Sequence, residues 1–167
     1  LWADRGLLKA ETTLGGHRRF ARQEIERLRQ ARSRPERKKG VLRSILIIDD
    51  ERELADTWAD GIRTAAPEIT VLTANDGFEG GLKASLHKPD MILLDLMMPG
   101  MDGFEVCRLL KREPVTKNIR IIALSGLASQ DNVDRILESG AETCLAKPIR
   151  VSKLLEVLGL AAWTPHL

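Results

Sequence analysis

Four apolar runs in this chain end on residues that could do chemistry. Ile45-Leu46-Ile47-Ile48 runs into Asp49-Asp50, Met91-Ile92-Leu93-Leu94 into Asp95, Ile121-Ile122-Ala123-Leu124 into Ser125-Gly126, and Thr143-Cys144-Leu145-Ala146 into Lys147-Pro148. A short apolar run without alternation, closed by turn residues, reads as a strand buried on both faces. If the four are parallel neighbours, the sheet edge where ligands bind in open α/β folds collects three carboxylates, a hydroxyl and an ammonium. Three acids within reach of one another cannot all stay ionised without a cation, and an all-oxygen set favours a hard ion such as Mg2+. A carboxylate oxygen held there, beside a lysine that neutralises incoming charge and a hydroxyl that donates a hydrogen bond, is equipped to attack a phosphoryl group. The product would be an aspartyl phosphate on Asp95.

The intervening segments must position these residues. Glu53 to Ala65 reads as a helix with Leu54, Trp58 and Ile62 on one stripe, ended by Pro67. Ile69 to Ala74 reads as another strand, and Asn75-Asp76-Gly77 turns into a helix to about Leu86. Gly80-Gly81 weakens that helix and points to close packing. Asp102 reads as the cap of a helix over Gly103 to Lys111 rather than as a metal ligand. Strands thus alternate with helices five times, which calls for an α/β fold with a parallel sheet and right-handed crossovers.

The remaining composition sets bounds. At 167 residues and 43% hydrophobic, the chain can bury one ordinary core plus an appendage. No apolar run approaches the roughly 18 to 20 residues that span a bilayer, and no signal-peptide pattern opens the chain, so a cytoplasmic protein is expected, without a membrane partner. Cys107 and Cys144 form no Cys-x-x-Cys pair, which suggests two reduced thiols and neither zinc nor a disulfide. The chain opens on Leu1, which reads as the middle of something and so as a truncated N-terminus.

Charge divides the chain in two. Residues 1–43 carry 13 Lys and Arg against 5 Asp and Glu, net +8, whereas residues 44–167 carry 13 against 19, net −6. Such an asymmetry suggests two modules, the basic one facing a polyanion. Leu1 to Leu8 reads as a last helical turn closed at Gly6, Gly15-Gly16 as a hairpin tip backed by His17-Arg18-Arg19, and 21–34 as an amphipathic basic helix. Residues 35–43, with Pro35 and Gly40 and no apolar period, read as a linker.

Taken together, Asp49-Asp50, Asp95 with Pro99 and Met101-Asp102-Gly103, Ser125, and Lys147-Pro148 resemble the receiver domain of two-component response regulators, over residues 44–163. The resemblance implies a flavodoxin-like, doubly wound five-stranded sheet in the order 2-1-3-4-5. It further implies that Asp95 is the phosphoacceptor and that Asp49, Asp50, Asp95 and the Met97 backbone carbonyl hold Mg2+. Lys147 and Ser125 would meet the phosphoryl oxygens, Gly126 would leave room for the group, and the Lys147-Pro148 bond would be cis. The implied partner is a sensor histidine kinase or a phosphotransfer protein. Two departures stand out. Relatives carry Tyr or Phe where this chain has Cys144, and often an aromatic where it has Ile149, so the ring that conveys their switch is missing here.

Residues 1–34 are similar to the second half of a MerR/excisionase-type winged helix-turn-helix, a truncated winged-helix remnant. That likeness implies Arg5 and Lys9 near double-stranded DNA from a recognition helix, and His17, Arg18 and Arg19 on phosphates from a wing, in the full-length protein. Thr12 replaces an arginine usual before the wing. The reading is then a DNA-binding, homodimeric response regulator that controls transcription and is not an enzyme. The alternative is a protein-interaction or phosphate-relay module with a basic dimerising helix. A phosphatase or phosphotransferase is disfavoured, because Asp95-Leu96-Met97 lacks an acid two residues on.

Overall fold

Residues 44–48 and 91–95 are buried at every position, as strands covered on both faces must be. The computed structural model describes residues 10–12, 18–20 and 41–160, the first two stretches by backbone alone. Two units divide the chain, Leu1–Gly40 and Val41–Leu167. In the first, β1 (Ala10–Thr12) pairs antiparallel with β2 (Arg18–Phe20), Ala10 opposite Phe20.

The second unit contains β3 (Ser44–Ile48), α1 (Arg52–Ala65), β4 (Thr70–Ala74), α2 (Gly77–His87), β5 (Met91–Asp95), β6 (Met97–Met98), β7 (Met101–Asp102), α3 (Gly103–Arg112), β8 (Arg120–Ser125), α4 (Gln130–Glu138), β9 (Thr143–Ala146) and α5 (Val151–Val157). Five of its strands form one sheet in the order β4-β3-β5-β8-β9, parallel throughout. This is the flavodoxin-like order expected from the sequence. Element ends fall within a residue of those expected, and the difference is an added short hairpin: β6 pairs antiparallel with β7 around Gly100, whose φ is +77°. That turn sits where the sequence shows only turn residues.

Alternation along each strand sorts the apolar residues onto two faces. Ile45, Ile47, Met91, Leu93, Ile122 and Leu124 pack with Ala55, Trp58, Ala59 and Ile62 of α1 and Leu154 of α5. Leu46, Ile48, Ile92, Leu94, Ile121 and Ala123 pack instead with Ala84 of α2, Val106, Cys107 and Leu110 of α3, and Ile136 of α4. Helices therefore cover both faces and leave the strand ends free. Among the described residues no helix is long and apolar enough to cross a membrane.

Local chemistry sets the helix ends. Asp76 caps α2 by accepting from Glu79 N at 2.7 Å, while Glu79 Oε2 accepts from Asn75 N at 2.8 Å. Asp102 caps α3, its Oδ1 accepting from Phe104 N at 2.9 Å. Arg120 and Glu142 join β8 to the start of β9 through a paired salt bridge of 2.7 and 2.6 Å, far from the strand ends that carry the chemistry.

The glycine pair of α2 has a partial account in this packing. A Cβ on Gly80 would lie 2.5 Å from Ile48 Cδ1, so α2 rests on β3 at a distance only hydrogen allows. Gly80→Ala should lower stability by about 1–3 kcal/mol despite the better helix propensity of alanine, because overpacking outweighs it. Urea unfolding of Gly80→Ala, Ile48→Val and the double variant checks this: removing Cδ1 should make the pair cost less than the sum of its parts.

Candidate functional site

Register carries five residues to one edge. Ile48 lies opposite Leu94, so Asp49 leaves β3 level with Asp95 at the end of β5. Asp95 lies opposite Leu124, and Ser125 opposite Ala146, which places Ser125 and Lys147 one step further along the adjoining strands. Asp49, Asp50 and Asp95 each present a carboxylate oxygen, all within 4.8 Å of one another. Asp49 and Asp95 are buried, and Asp50 faces solvent.

Two of these acids are held by their own loops. Asp49 Oδ1 accepts from Glu51 N at 2.9 Å, and Asp95 Oδ1 accepts from Met97 N at 3.1 Å. Each carboxylate keeps a further oxygen able to accept. Lys147 Nζ lies 2.7 Å from Asp49 Oδ2, 3.5 Å from Asp95 Oδ1 and 4.0 Å from Glu51 Oε1. Ser125 Oγ accepts from Leu127 N at 3.1 Å, and its hydroxyl hydrogen remains available to donate. The Lys147-Pro148 bond is cis.

Electrostatics follow from this crowding. Burial raises the pKa of the Asp95 carboxyl above its ordinary value, and the negative charge of Asp49 adds to that, against the Met97 N–H and Lys147. For Lys147, burial favours the neutral amine, but the hydrogen bond and charge of Asp49, with Asp95 and Glu51 behind, outweigh it and raise the pKa. One ammonium against three clustered acids leaves negative charge in excess. A hard divalent ion fits this all-oxygen set of Asp49, Asp50 and Asp95.

Three residues at the site carry no clear sign of it in the sequence. Glu51 stands beside Lys147, and its position after two acids is the one signal that could flag it. Trp58 shows in the pattern as core alone. Gly103 shows as a helix start within the Met101-Asp102-Gly103 motif, with no sign that a Cβ there would lie 2.5 Å from Leu96 Cα and 2.7 Å from the Asp95 carbonyl oxygen. The N-terminus of α3 therefore rests directly on the Asp95 loop, and only glycine permits it. Of the expected DNA contacts, Arg5, Lys9 and His17 lie outside the described residues. Arg18 and Arg19 lie in β2, with side chains not described.

Comparison with known proteins decides the family. Residues 45–159 match the response regulator receiver domain. The chain belongs to that family. PleD, a response regulator of Caulobacter vibrioides, is 42% identical over 105 residues, which are 63% of this chain and 23% of that protein. RpaA of Synechocystis, a DNA-binding dual master transcriptional regulator, is 36% identical over 111 residues, 66% of this chain and 45% of that one. The chain thus spans less than half the length of both. Among solved structures, the signal receiver domain of a DNA binding response regulator protein (merR) from Colwellia psychrerythraea superposes with a TM-score of 0.67 at 40% identity, over 72% of this chain and 98% of that one.

For the receiver unit, Gly103→Ala should push the Asp95 loop off its seat. A stability loss of about 1–3 kcal/mol is expected, because the clash is with backbone that no rotamer can relieve. Urea unfolding with and without Mg2+ checks it: the stabilisation that Mg2+ gives the parent protein should shrink in the variant, since the acids no longer converge.

Proposed function

We propose that this receiver takes a phosphoryl group on Asp95 from the phosphohistidine of a sensor kinase or phosphotransfer protein, as the switching step of a two-component response regulator. The observation that carries the reading is the convergence of Asp49, Asp50 and Asp95 within 4.8 Å, with Lys147 Nζ 3.5 Å from Asp95 Oδ1. An Asp95 oxygen attacks phosphorus, the new P–O bond forms as the donor P–N bond breaks, and the departing imidazole takes up a proton. Lys147, drawn from Asp49, meets the phosphoryl oxygens as a mobile point charge. Ser125 donates its hydroxyl to the same group. Mg2+, held by Asp49, Asp50, Asp95 and the Met97 carbonyl, would supply charge neutralisation on those oxygens. The acyl phosphate stores the signal, and no outside substrate is turned over.

Incorporation of labelled phosphate from acetyl phosphate tests the assignment. Asp95→Asn should abolish labelling, and EDTA should suppress it in the parent protein with recovery on adding Mg2+. Retained labelling of Asp95→Asn would sink the site.

The phosphoryl state is read, on this proposal, by the basic N-terminal module, with the protein acting as a cytoplasmic homodimer at double-stranded DNA. Support comes from the net charge of +8 on residues 1–43, from the antiparallel pairing of β1 with β2 where a wing is expected, and from the Colwellia and Synechocystis proteins being described as DNA-binding. Arg5, Lys9, His17, Arg18 and Arg19 are the proposed contacts. If the four arginines and lysines among them meet phosphates in both protomers of the dimer, the logarithm of the binding constant of the full-length protein should fall with the logarithm of salt at a slope of about −7. A fluorescence-anisotropy titration on duplex DNA measures it. A salt-insensitive protein that only dimerises would favour the interaction-module reading.

A further inference from the structure

We propose that Trp58 is a positioning residue for Lys147, holding from α1 the segment that carries the lysine. The inference rests on the phosphoacceptor reading above and adds a residue to it. Trp58 is buried on the face of the sheet covered by α1 and α5, and its Nε1–H donates to the carbonyl oxygen of Ile149 at 3.2 Å, across 91 positions of sequence. The Lys147 ammonium lies 5.6 Å from the centroid of the same ring, within the range of a cation–π attraction. One indole thus touches the segment 147–149 twice, once through its main chain and once through its charge.

The surroundings make that double contact matter. Arg150 caps α5 without a side-chain hydrogen bond, so the start of this helix has no local side-chain cap to fix it. What fixes it instead is α1. Gly61, one turn beyond Trp58, lies so close to Val151 that a Cβ on it would collide with Val151 Cγ1. Helix α1 therefore presses onto the first residue of α5, and this approach brings the indole N–H within reach of Ile149. The Ile149 side chain packs against the same apolar cluster that holds Trp58.

A lysine on four rotatable bonds needs a fixed base if its ammonium is to reach Asp49 at 2.7 Å and Asp95 at 3.5 Å rather than solvent. Without the indole donor the Ile149 carbonyl loses its side-chain partner, the 147–149 segment relaxes, and Lys147 reaches the phosphoryl oxygens less often. The indole N–H is the part of Trp58 that does this, and phenylalanine lacks it.

Phosphorylation by acetyl phosphate with Mg2+, followed as a second-order rate constant, tests the proposal in parent, Trp58→Phe, Lys147→Ala and the double variant. Trp58→Phe should react about tenfold more slowly, a loss of the size that small misplacements produce. In the Lys147→Ala background the same change should cost nothing further, because the residue it positions is gone. Replacing Trp58 alone by its 3-benzothienyl analogue, which keeps the bicyclic shape and lacks the N–H, guards against a folding defect and should slow the reaction similarly. Parent-like rates in Trp58→Phe and in the analogue, or equal losses in both backgrounds, would overturn the brace while leaving the site intact. A Lys147→Ala protein that reacts at the parent rate would instead overturn the role of the lysine, and the brace with it.

Discussion

Negative charge held where water is scarce is the constraint from which the receiver unit can be understood. Asp49 is wholly buried and Asp95 nearly so, and ions taken from water cost several kcal/mol each unless paired and hydrogen-bonded. The chain meets that cost locally, with a main-chain N–H two residues on for each acid, and at long range with Lys147. The pairing remains incomplete, and the incompleteness is what makes the site useful. A fully neutralised cluster would have no reason to take up a divalent ion.

Holding the acids together places demands on everything beneath them. Because register moves in steps of one residue, a slip of β3 against β5 would turn Ile45 and Ile47 to the wrong face as well as separating Asp49 from Asp95. The two apolar clusters therefore enforce the geometry of the charged edge. The same logic explains the glycines at contact points. Gly80 lets α2 settle on Ile48, Gly103 lets α3 settle on the Asp95 loop, and Gly61 lets α1 approach Val151. In each, a side chain would hold a helix away from the layer it must touch.

How much of this is legible in the sequence depends on the range of the interaction. Apolar runs ending in Asp49, Asp95 and Ser125 announce both the strands and the residues at their tips, because a doubly covered strand has a one-dimensional signature, whereas the run ending at Lys147 is the half-exposed edge strand β9. Asp102 as a helix cap is equally local. Trp58 is not legible in this way: its place on the stripe with Leu54 and Ile62 reports a buried face, but nothing in α1 tells that its N–H meets a carbonyl 91 residues later. Gly103 is similar, since closeness to Leu96 exists only once the β6–β7 hairpin has folded the chain back.

The absence of an aromatic at position 144 bears on how a signal would leave the site. Cys144 sits half-buried on β9 opposite Ala123, packed against the cluster beneath α2, α3 and α4, and burial raises the pKa of its thiol. It offers too little surface to alternate between an inward and an outward position as a ring can. Yet the two residues that would grip the phosphoryl group are joined directly, because Lys147 N donates to the Ser125 carbonyl oxygen at 2.8 Å. Main chain thus ties the end of β8 to the end of β9, whatever side chain stands at 144. Being the edge strand, β9 has one neighbour in the sheet and half-exposed residues, so it is freer to shift than β3, β5 or β8, which are held on both sides.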